Sequence, residues 1–536
     1  MPVLLHCTKA LPPREAYEQW AAIGDTPVGL DPKARVPGLG ESLERTFDEV
    51  APEWWKLGRQ LSAEPTASLG HAPACVANLS DFGLMLAWSR LARLWGEESR
   101  RILLVTDDPW VFRHLSGLDG ISAGAAPGLW APEAKLLIRG YAARIRAALR
   151  FGGNALRMRS HRRGSHQKGA AMLVYGHPNS TPDGQDGYFG TLMHELPEIV
   201  RVLHVDCPPA RARELSQDGR TCSLHGWGNP AAAAGLVRAH WRPSAKWRSH
   251  TAGWLIRRAV RQEAGTATGA AIRWQQICQR NWLHKARPEK VTWPWENHSW
   301  ERAFVRDCRQ AGAATFGYQH SVVGRQMLNY APKSNWDALG SIPDKILCSG
   351  SATAGQLLDW GIPQNRIAIG GARRAADGAI PDFAWDAPVF MPLPFDERVS
   401  VEMISAAQSV RGKVFLVKEH PMTPHDFTET ETVRRTVRPL SAHGTLSAVV
   451  FAASTVGLES LIAGLPTFRF RSQSCMALDI LPVGQTVAVV DAETLGASLK
   501  NSLPVTALPR DGFFAQVDTA LWRTFLKTEA CNGKQA

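Results

Sequence analysis

Several features that mark other classes of protein are missing from this 536-residue sequence. No run approaches the roughly 18 apolar residues that a membrane-spanning helix requires. The first residues, MPVLLHCTKALPPREAYEQW, lack the basic and long apolar segments of a secretory signal, so we expect a cytoplasmic protein. The nine cysteines form no CxxC pair and no His/Cys ligand pattern. This spacing argues against a disulfide framework and a structural zinc site, and we expect reduced, mostly buried cysteines.

Acidic residues are absent from two long stretches, and this concentrates the net charge of +12. Residues 139 to 168 contain none, and neither do residues 219 to 262, where Trp241, Trp247 and Trp254 alternate with basic residues. Such basic faces suit an acidic polymer, an anionic lipid surface or a nucleic acid, or they are ordinary solvated helix surfaces. No zinc-finger, RRM-like or helix-turn-helix signature accompanies the charge, so we expect no nucleic-acid partner.

The sequence does contain a repeated alternation of short apolar runs and helix-compatible segments. RILLVTDD near residue 101 and AAMLVYGHP near residue 170 are two such runs, each followed by a turn signal. In a later one, Lys345 to Cys348 predicts a strand, and Gly361 predicts the end of the helix that follows. The alternation predicts an α/β protein with two Rossmann-like domains that face a cleft.

The domain boundaries follow from where this alternation restarts. We expect an N-terminal, acceptor-side domain over residues 1–340 and a nucleotide-sugar-binding domain over residues 341–505. In the segment after residue 505, apolar residues recur at helical spacing, which predicts a closing helix that packs back within residues 506–536. The cleft between the domains is the expected ligand site.

Polar residues follow one predicted strand in KVFLVKEHPMT. Val414 to Val417 read as a buried strand, and Lys418, His420 and Pro421 lie at its carboxyl end, where open α/β sheets bind ligands. Pro421 ends the strand, while the cation of Lys418 and the imidazole of His420 suit a phosphate. The alternative is a surface ion pair between Lys418 and Glu419, with His420 capping a turn.

A second strand end lies in VVFAASTVGLESLIAGLP. Ser454 and Thr455 follow the strand and are good N-cap residues for a helix that runs to Gly464. The start of that helix can bind an anion, and Thr455 shares a helix face with Glu459, whose carboxylate can accept from ribose hydroxyls. Capping by Ser454 or Thr455, with an exposed Glu459, is the alternative.

The Lys-Glu-His-Pro and Ser-Thr-x-x-x-Glu segments together resemble the donor half of GT-B glycosyltransferases, over roughly residues 290 to 480. They are similar, more narrowly, to bacterial enzymes that use CMP-activated acidic sugars such as sialic acid or Kdo. ENHSWERAF and GYQHSVVGR also look like parts of surface-carbohydrate biosynthesis proteins of the capsule and lipopolysaccharide type. The resemblance implies a metal-independent transferase without a cofactor, a nucleotide-sugar donor with CMP favoured, and a glycan or lipid-linked glycan acceptor.

The stretch VTWPWENHSWERAF supplies the candidate catalytic base. Glu296 follows a predicted strand, Lys290 to Trp293, and a carboxylate there can take the proton of an acceptor hydroxyl. Trp295 offers a flat face to a sugar ring and Asn297 can orient the acceptor. His320, at the end of the next strand, is the other candidate base or a donor to the phosphate. The alternative for Glu296 is an ion pair with an arginine, such as Arg302 or Arg325, inside an aromatic cluster.

Two further motifs have one functional and one ordinary interpretation. Arg373 and Arg374 in GGARRAADG can bind a sugar carboxylate or a phosphate, because the planar guanidinium matches either anion, or both can face solvent. Asp107 and Asp108 in VTDDPW suit a helix N-cap better than a metal site, so we predict no metal.

The sequence therefore leads to one main hypothesis and two alternatives. The main one is a surface-polysaccharide glycosyltransferase, cytoplasmic or peripheral at the inner membrane, that transfers a CMP-linked acidic keto sugar. A GT-B enzyme that uses a UDP- or GDP-sugar differs only in base contacts that the sequence does not reveal. A non-catalytic glycan- or nucleotide-binding protein of the same fold is the other alternative.

Overall fold

Three parallel β-sheets organise the protein in the computed structural model, which describes residues 2–25, 27–77, 79–162, 169–374, 380–420 and 422–527. Pro421, one of the predicted donor-site residues, lies outside the described residues. The cysteines in the described part of the chain are free and buried. Across the described residues, no helix is both long enough and apolar enough to cross a membrane.

The first sheet belongs to the N-terminal part of the chain and has the strand order β2-β3-β1-β4. Its strands are β1 (Val3–His6), β2 (Gln19–Ala22), β3 (Ile102–Val105) and β4 (Ile121–Ala123). Its helices are α1 (Leu39–Glu49), α2 (Ala51–Ser62), α3 (Phe82–Glu97) and α4 (Pro109–Leu115). Asp108 caps α4 by accepting from the backbone N–H groups of Trp110 and Val111, which confirms the predicted capping role.

The second sheet has seven strands in the order β7-β6-β5-β8-β9-β10-β11. Its strands are β5 (Ala170–Val174), β6 (Val200–Leu203), β7 (Thr221–Ser223), β8 (Lys290–Pro294), β9 (Ala314–Gln319), β10 (Lys345–Cys348) and β11 (Ile367–Ile369). The helices of this part are α5 (Trp130–Met158), α6 (Leu192–Glu195), α7 (Pro209–Leu215), α8 (Gly253–Ala264), α9 (Thr268–Ala286), α10 (Ser299–Gln310) and α11 (Ser351–Asp359). The order reverses between β5 and β8, so the crevice beyond the carboxyl ends of these two strands is the expected ligand position.

The third sheet has six strands in the order β15-β14-β13-β17-β18-β19. The remaining strands are β12 (Asp382–Phe383), β13 (Val389–Pro392), β14 (Phe415–Lys418), β15 (Val433–Arg435), β16 (Thr445–Leu446), β17 (Ala448–Phe451), β18 (Thr467–Phe470) and β19 (Ala488–Val490), of which β12 and β16 pair separately. The remaining helices are α12 (Glu397–Ser409), α13 (Val456–Ile462), α14 (Leu495–Lys500) and α15 (Thr519–Leu526). This is the Rossmann order, and its reversal point lies between β13 and β17.

The predicted α/β class with parallel sheets is confirmed, but the sheets divide the chain differently from the predicted domains. A boundary at residues 340–341 falls between β9 and β10, which are hydrogen-bonded neighbours in the second sheet. The change to the third sheet comes only after β11. The strand in RILLVTDD joins the separate N-terminal sheet through pairs with β1 and β2. The predicted domains differ from the observed sheets because apolar periodicity indicates where a strand lies but not which strands pair with it.

The last helix returns to the second sheet. Trp522 and Leu526 of α15 are fully buried and pack in one apolar cluster with Tyr318 of β9 and Leu347 of β10. The indole N–H of Trp522 donates to the carbonyl oxygen of Gly370 at 2.8 Å. The helix thus covers a face of a sheet that is far from it in sequence.

Candidate functional site

An open cavity lies where the carboxyl ends of the second and third sheets face each other. Its volume is about 1260 Å³, including the solvent space at its mouth. From the second sheet it is lined by His320 and Ser321 after β9 and by Arg374 after β11. From the third sheet and the segment after it, Thr455, Glu459, Pro439, Leu440, Arg510 and Phe514 are among the lining residues. Polar groups of both Rossmann-like sheets therefore meet in one place.

The strand end at β14 presents the predicted lysine and histidine. Lys418 is the last residue of β14 and is half-buried. His420 packs edge-on against Phe395, with ring centroids 5.6 Å apart, and burial lowers the pKa of its imidazole below the usual range. The backbone N–H of Met422 donates to Nδ1 of His420 at 3.2 Å. In the neutral ring Nε2 therefore carries the proton and can donate it in a hydrogen bond.

The start of α13 lies at the reversal point of the third sheet. Ser454 and Thr455 follow β17, and Thr455 lines the cavity. Ser454 Oγ accepts from the backbone N–H of Val456 at 3.4 Å, as a capping residue does. Glu459 opens onto the cavity, yet loss of hydration raises the pKa of its carboxyl, although the cations of Lys418 and Arg510 oppose the shift. The two segments that carry the predicted donor site are thus electrostatic neighbours.

The arginine pair after β11 divides into one structural and one cavity-facing residue. Arg373 is buried and forms a two-pronged ion pair with Glu195, at 2.9 and 2.8 Å, while its guanidinium stacks over Trp522 at 4.5 Å. These contacts occupy the terminal nitrogens of the Arg373 guanidinium, so its predicted role as a donor-binding residue does not fit the structure. Arg374 is exposed, lines the cavity and lies over the ring of Tyr188 at 5.1 Å.

The loop after β8 is held by a buried acid at the start of α10. Glu301 accepts from the backbone N–H groups of Glu296 and His298, at 2.9 and 2.6 Å, and from the indole N–H of Trp293 at 2.9 Å. Burial raises the pKa of Glu301 to about 8, and the nearby Glu296 carboxylate adds to the shift. This capping arrangement fixes the loop through the backbone of Glu296 and leaves its side chain outside the network.

Two residues of this loop are buried rather than presented to a ligand. Asn297 is fully buried in a left-handed conformation, with φ of 58°, and its amide donates to the carbonyl oxygen of Asn329 at 2.7 Å. Trp295 is fully buried against Tyr330, with ring centroids 5.3 Å apart. Neither side chain has surface to offer, so the predicted acceptor-binding roles of Asn297 and Trp295 do not fit the structure.

Glu296 is the polar group that this loop leaves accessible. Its side chain is 38% exposed, and its carboxylate lies 3.5 Å from Nδ1 of His298. The arginine partners proposed as an alternative are engaged elsewhere: Arg302 donates to the carbonyl oxygen of Asn297, and Arg325 pairs with Asp48 and Asp479. The carboxylate is therefore not neutralised by either of them.

His320 and Glu296 lie within electrostatic reach of each other. Burial lowers the pKa of the His320 imidazole to about 4, although the Glu296 carboxylate opposes this shift. Nδ1 of His320 is buried and has no hydrogen-bond partner within the described residues. The ring meets Tyr188 edge-on at 5.1 Å. At neutral pH His320 is thus uncharged and can donate one hydrogen bond, but it is a weak base.

Sequence reasoning missed part of this arrangement. Arg510 and Tyr188 carried no motif, and the cation that reaches the cavity is the second arginine of the pair after β11, not the first. Among the described residues no group of three or more His, Cys, Asp or Glu side chains is arranged to hold a metal ion.

Comparison with known proteins yields similar structures at low identity. No protein-family model matches the chain, and no curated protein matches it. S. aureus MnaA with UDP is 8% identical over 62% of this chain and 87% of that chain, with a TM-score of 0.35. A UDP-glucosyltransferase from Polygonum tinctorium is 10% identical over 67% and 89% of the respective chains, with a TM-score of 0.35. MurG from Acinetobacter baumannii is 9% identical over 62% and 90%, with a TM-score of 0.31. Similarity at this level does not identify an activity for this chain.

Proposed function

We propose that this chain is a GT-B glycosyltransferase of surface-polysaccharide biosynthesis, which transfers a sugar from a nucleotide donor to a glycan hydroxyl. The observation that supports it is the meeting of polar groups from two Rossmann-like sheets in one cavity. Ligands of such sheets bind beyond the carboxyl ends of the strands. A donor at the third sheet and an acceptor at the second would then face each other across the cavity.

The third sheet supplies groups that suit a nucleotide phosphate. Lys418 adds a positive charge, His420 offers the N–H on Nε2, and Thr455 lies at the start of a helix. Glu459, whose carboxyl interacts electrostatically with Lys418, would accept from ribose hydroxyls. These side chains support a nucleotide donor independently of the fold.

Within that class, a CMP-linked acidic keto sugar such as Kdo or a nonulosonic acid is the donor we favour. Such a sugar carries a carboxylate in addition to the phosphate, so it needs a further cation. Arg374 and Arg510 line the cavity and supply positive charge beyond Lys418. A UDP- or GDP-sugar is the alternative, because its diphosphate would also use several cations.

The transfer step assigns separate roles to Glu296 and His320. The acceptor oxygen attacks the anomeric carbon, the bond from that carbon to the phosphate oxygen breaks, and the acceptor proton passes to the Glu296 carboxylate. The electron pair leaves with the nucleotide phosphate, whose charge Lys418 and His420 stabilise. His320 is uncharged at neutral pH and acts as a hydrogen-bond donor, not as the base.

Ligand-dependent thermal unfolding tests the donor site. The purified protein is heated with CMP, CDP, UMP, UDP or GDP at equal concentration, and a ligand at about 100 times its dissociation constant adds roughly 2.7 kcal/mol of stability. We expect stabilisation by CMP that is lost in His420→Ala and retained in His284→Ala, where His284 is an exposed histidine remote from the cavity.

The other outcomes separate the alternatives. Stabilisation by UDP or GDP alone would replace the CMP donor and keep the fold assignment. Binding of a nucleotide without any transfer from the corresponding activated sugar would favour a non-catalytic binding protein. No shift with any of the nucleotides would contradict the proposed donor site.

A further inference from the structure

Helix α5 has three distinct faces, and two of them are exposed. The buried face packs Arg144, Phe151, Asn154 and Met158, among others, against the protein. An exposed apolar stripe recurs at helical spacing, and its side chains are 46% to 74% exposed: Ile138, Ile145, Leu149 and Leu156. Beside it runs an exposed basic stripe at a similar spacing: Lys135, Arg139, Arg146, Arg150 and Arg157. The apolar stripe alone extends for about 27 Å along the helix.

The charge on this helix is not offset by acids of its own. Glu133 is the only acidic residue in α5, and it pairs with Arg261 of α8 at 3.3 Å. The packing of α5 also joins the two acid-free stretches of the sequence. Arg144 donates to the carbonyl oxygens of Val237, at 2.9 Å, and of Ala264. The contact with Val237 therefore packs the first acid-free stretch directly against the second.

We propose that the exposed faces of α5 form a docking surface for an anionic phospholipid bilayer. A helix that lies in the plane of a bilayer inserts its apolar side chains below the headgroups and sets its Lys and Arg against anionic lipid. The apolar and basic stripes of α5 lie side by side, as this geometry requires. The proposal does not rest on the donor site or on the transfer reaction.

Two other occupants fit the surface less well. A second copy of the chain would bring two basic stripes together, and the one acid of each α5, Glu133, already pairs with Arg261. A nucleic acid would engage the arginines but would leave the four large apolar side chains in water. An anionic bilayer satisfies both stripes at once.

Vesicle sedimentation with the full chain tests the proposal. The probes are vesicles of equal parts phosphatidylcholine and phosphatidylglycerol, and vesicles of phosphatidylcholine alone. We expect binding to the first, little to the second, and release at high salt, because the Debye length shortens to about 3 Å at 1 M ionic strength. No sedimentation with the anionic vesicles would overturn the proposal.

Two variants with matched controls assign the binding to α5. The charge variant, Arg146→Gln with Arg150→Gln and Arg157→Gln, should weaken binding on the order of 100-fold, since each cation near an anionic surface contributes about fivefold. Its control carries Arg45→Gln, Lys56→Gln and Arg59→Gln, which remove the same charge from exposed positions on α1 and α2. Equal losses in variant and control would show a general charge effect and overturn the assignment.

The stripe variant replaces Ile138, Ile145, Leu149 and Leu156 by Ser, and it should also lose vesicle binding. Its control replaces four exposed apolar residues elsewhere by Ser: Val28, Val437, Val483 and Leu503. Because the stripe is exposed, we expect the stripe variant to unfold at the same temperature as the wild type. If the stripe variant does not fold, the charge variant still tests the proposal. Vesicle binding unaffected by the stripe variant would overturn the proposal. The proposal would also be overturned if the wild type were a dimer that the stripe variant dissociates, or if the chain bound an RNA oligonucleotide and not vesicles.

Discussion

A buried ion pair joins the N-terminal unit to the third sheet, and its removal gives a prediction that needs no substrate. Glu44 of α1 accepts from both terminal nitrogens of Arg469 on β18, at 3.1 and 2.7 Å, and the two side chains are 5% and 4% exposed. Glu44→Gln keeps the shape but removes the charge. Loss of one partner of a buried pair costs about 3 to 5 kcal/mol, because the other charge stays buried without compensation.

The surroundings of Arg469 place the expected cost at the low end of that range. The carbonyl oxygen of Ala477 still accepts at 2.9 Å, and Asp479 remains 4.0 Å from Nε of Arg469. A loss of about 3 kcal/mol corresponds to roughly 150-fold faster local opening. Hydrogen exchange followed by mass spectrometry should therefore show faster exchange in the peptides that cover α1 and β18.

An exposed pair supplies the control for this experiment. Glu18 and Arg101 are 3.1 Å apart, but their side chains are 65% and 38% exposed. Glu18→Gln should therefore change the free energy of local opening by less than about 1 kcal/mol, which corresponds to a less than roughly fivefold change in exchange rate. If Glu44→Gln accelerates exchange in α1 no more than Glu18→Gln does around Glu18, the burial-based reasoning is refuted.

Three further predictions concern the cavity and its surroundings. Glu296→Gln should fold normally, because the hydrogen bonds of Glu296 that hold its loop come from its backbone atoms. It should lower the rate of nucleotide release during transfer on the order of 10²–10⁴-fold, and near-normal turnover would exclude Glu296 as the base. In calorimetry Arg374→Gln should weaken binding of the nucleotide-sugar donor about tenfold with unchanged thermal unfolding. Arg373→Gln should instead lower the unfolding temperature, because it leaves the Glu195 carboxylate without its ion-pair partner. Glu263 of α8 accepts from the backbone N–H groups of His71 and Ala72, and burial raises the pKa of its carboxyl from about 4.5 to about 7. Its favourable contribution to stability is therefore complete below pH 4.5 and is lost as pH rises through 7. In urea titrations between pH 4.5 and 7, the free energy of unfolding of Glu263→Gln should rise relative to that of the wild type by up to about 1.4 kcal/mol per pH unit. A difference that stays constant with pH would contradict the raised pKa of Glu263.

The elements that sequence reasoning located best are those whose signal is local. The strand predicted from Lys345 to Cys348 has those bounds in the structure, because its apolar residues are buried in the middle of a sheet. The helix after it, α11, ends at Asp359, two residues before Gly361, whose φ of +93° is a conformation that glycine adopts readily. Local apolar runs and turn residues suffice for such elements.

The features that sequence reasoning missed depend on contacts between distant parts of the chain. Nothing local distinguishes Arg373 from Arg374; Glu195 and Trp522, both remote in sequence, hold one and leave the other free to face the cavity. The burial of Asn297 likewise depends on Asn329. By contrast, the position of Lys418 at the end of β14 and that of Thr455 at the start of α13 are predictable, because each depends on neighbouring residues of the sequence.

The return of α15 to the second sheet has a consequence for synthesis of the chain. Its Trp522 and Leu526 cover Tyr318 and Leu347, whose strands leave the ribosome long before it does. Until then this apolar face is open to water or to other chains, as in partly folded intermediates that aggregate. A nascent or truncated chain that ends before residue 519 would therefore depend on a chaperone, although its strands are all present.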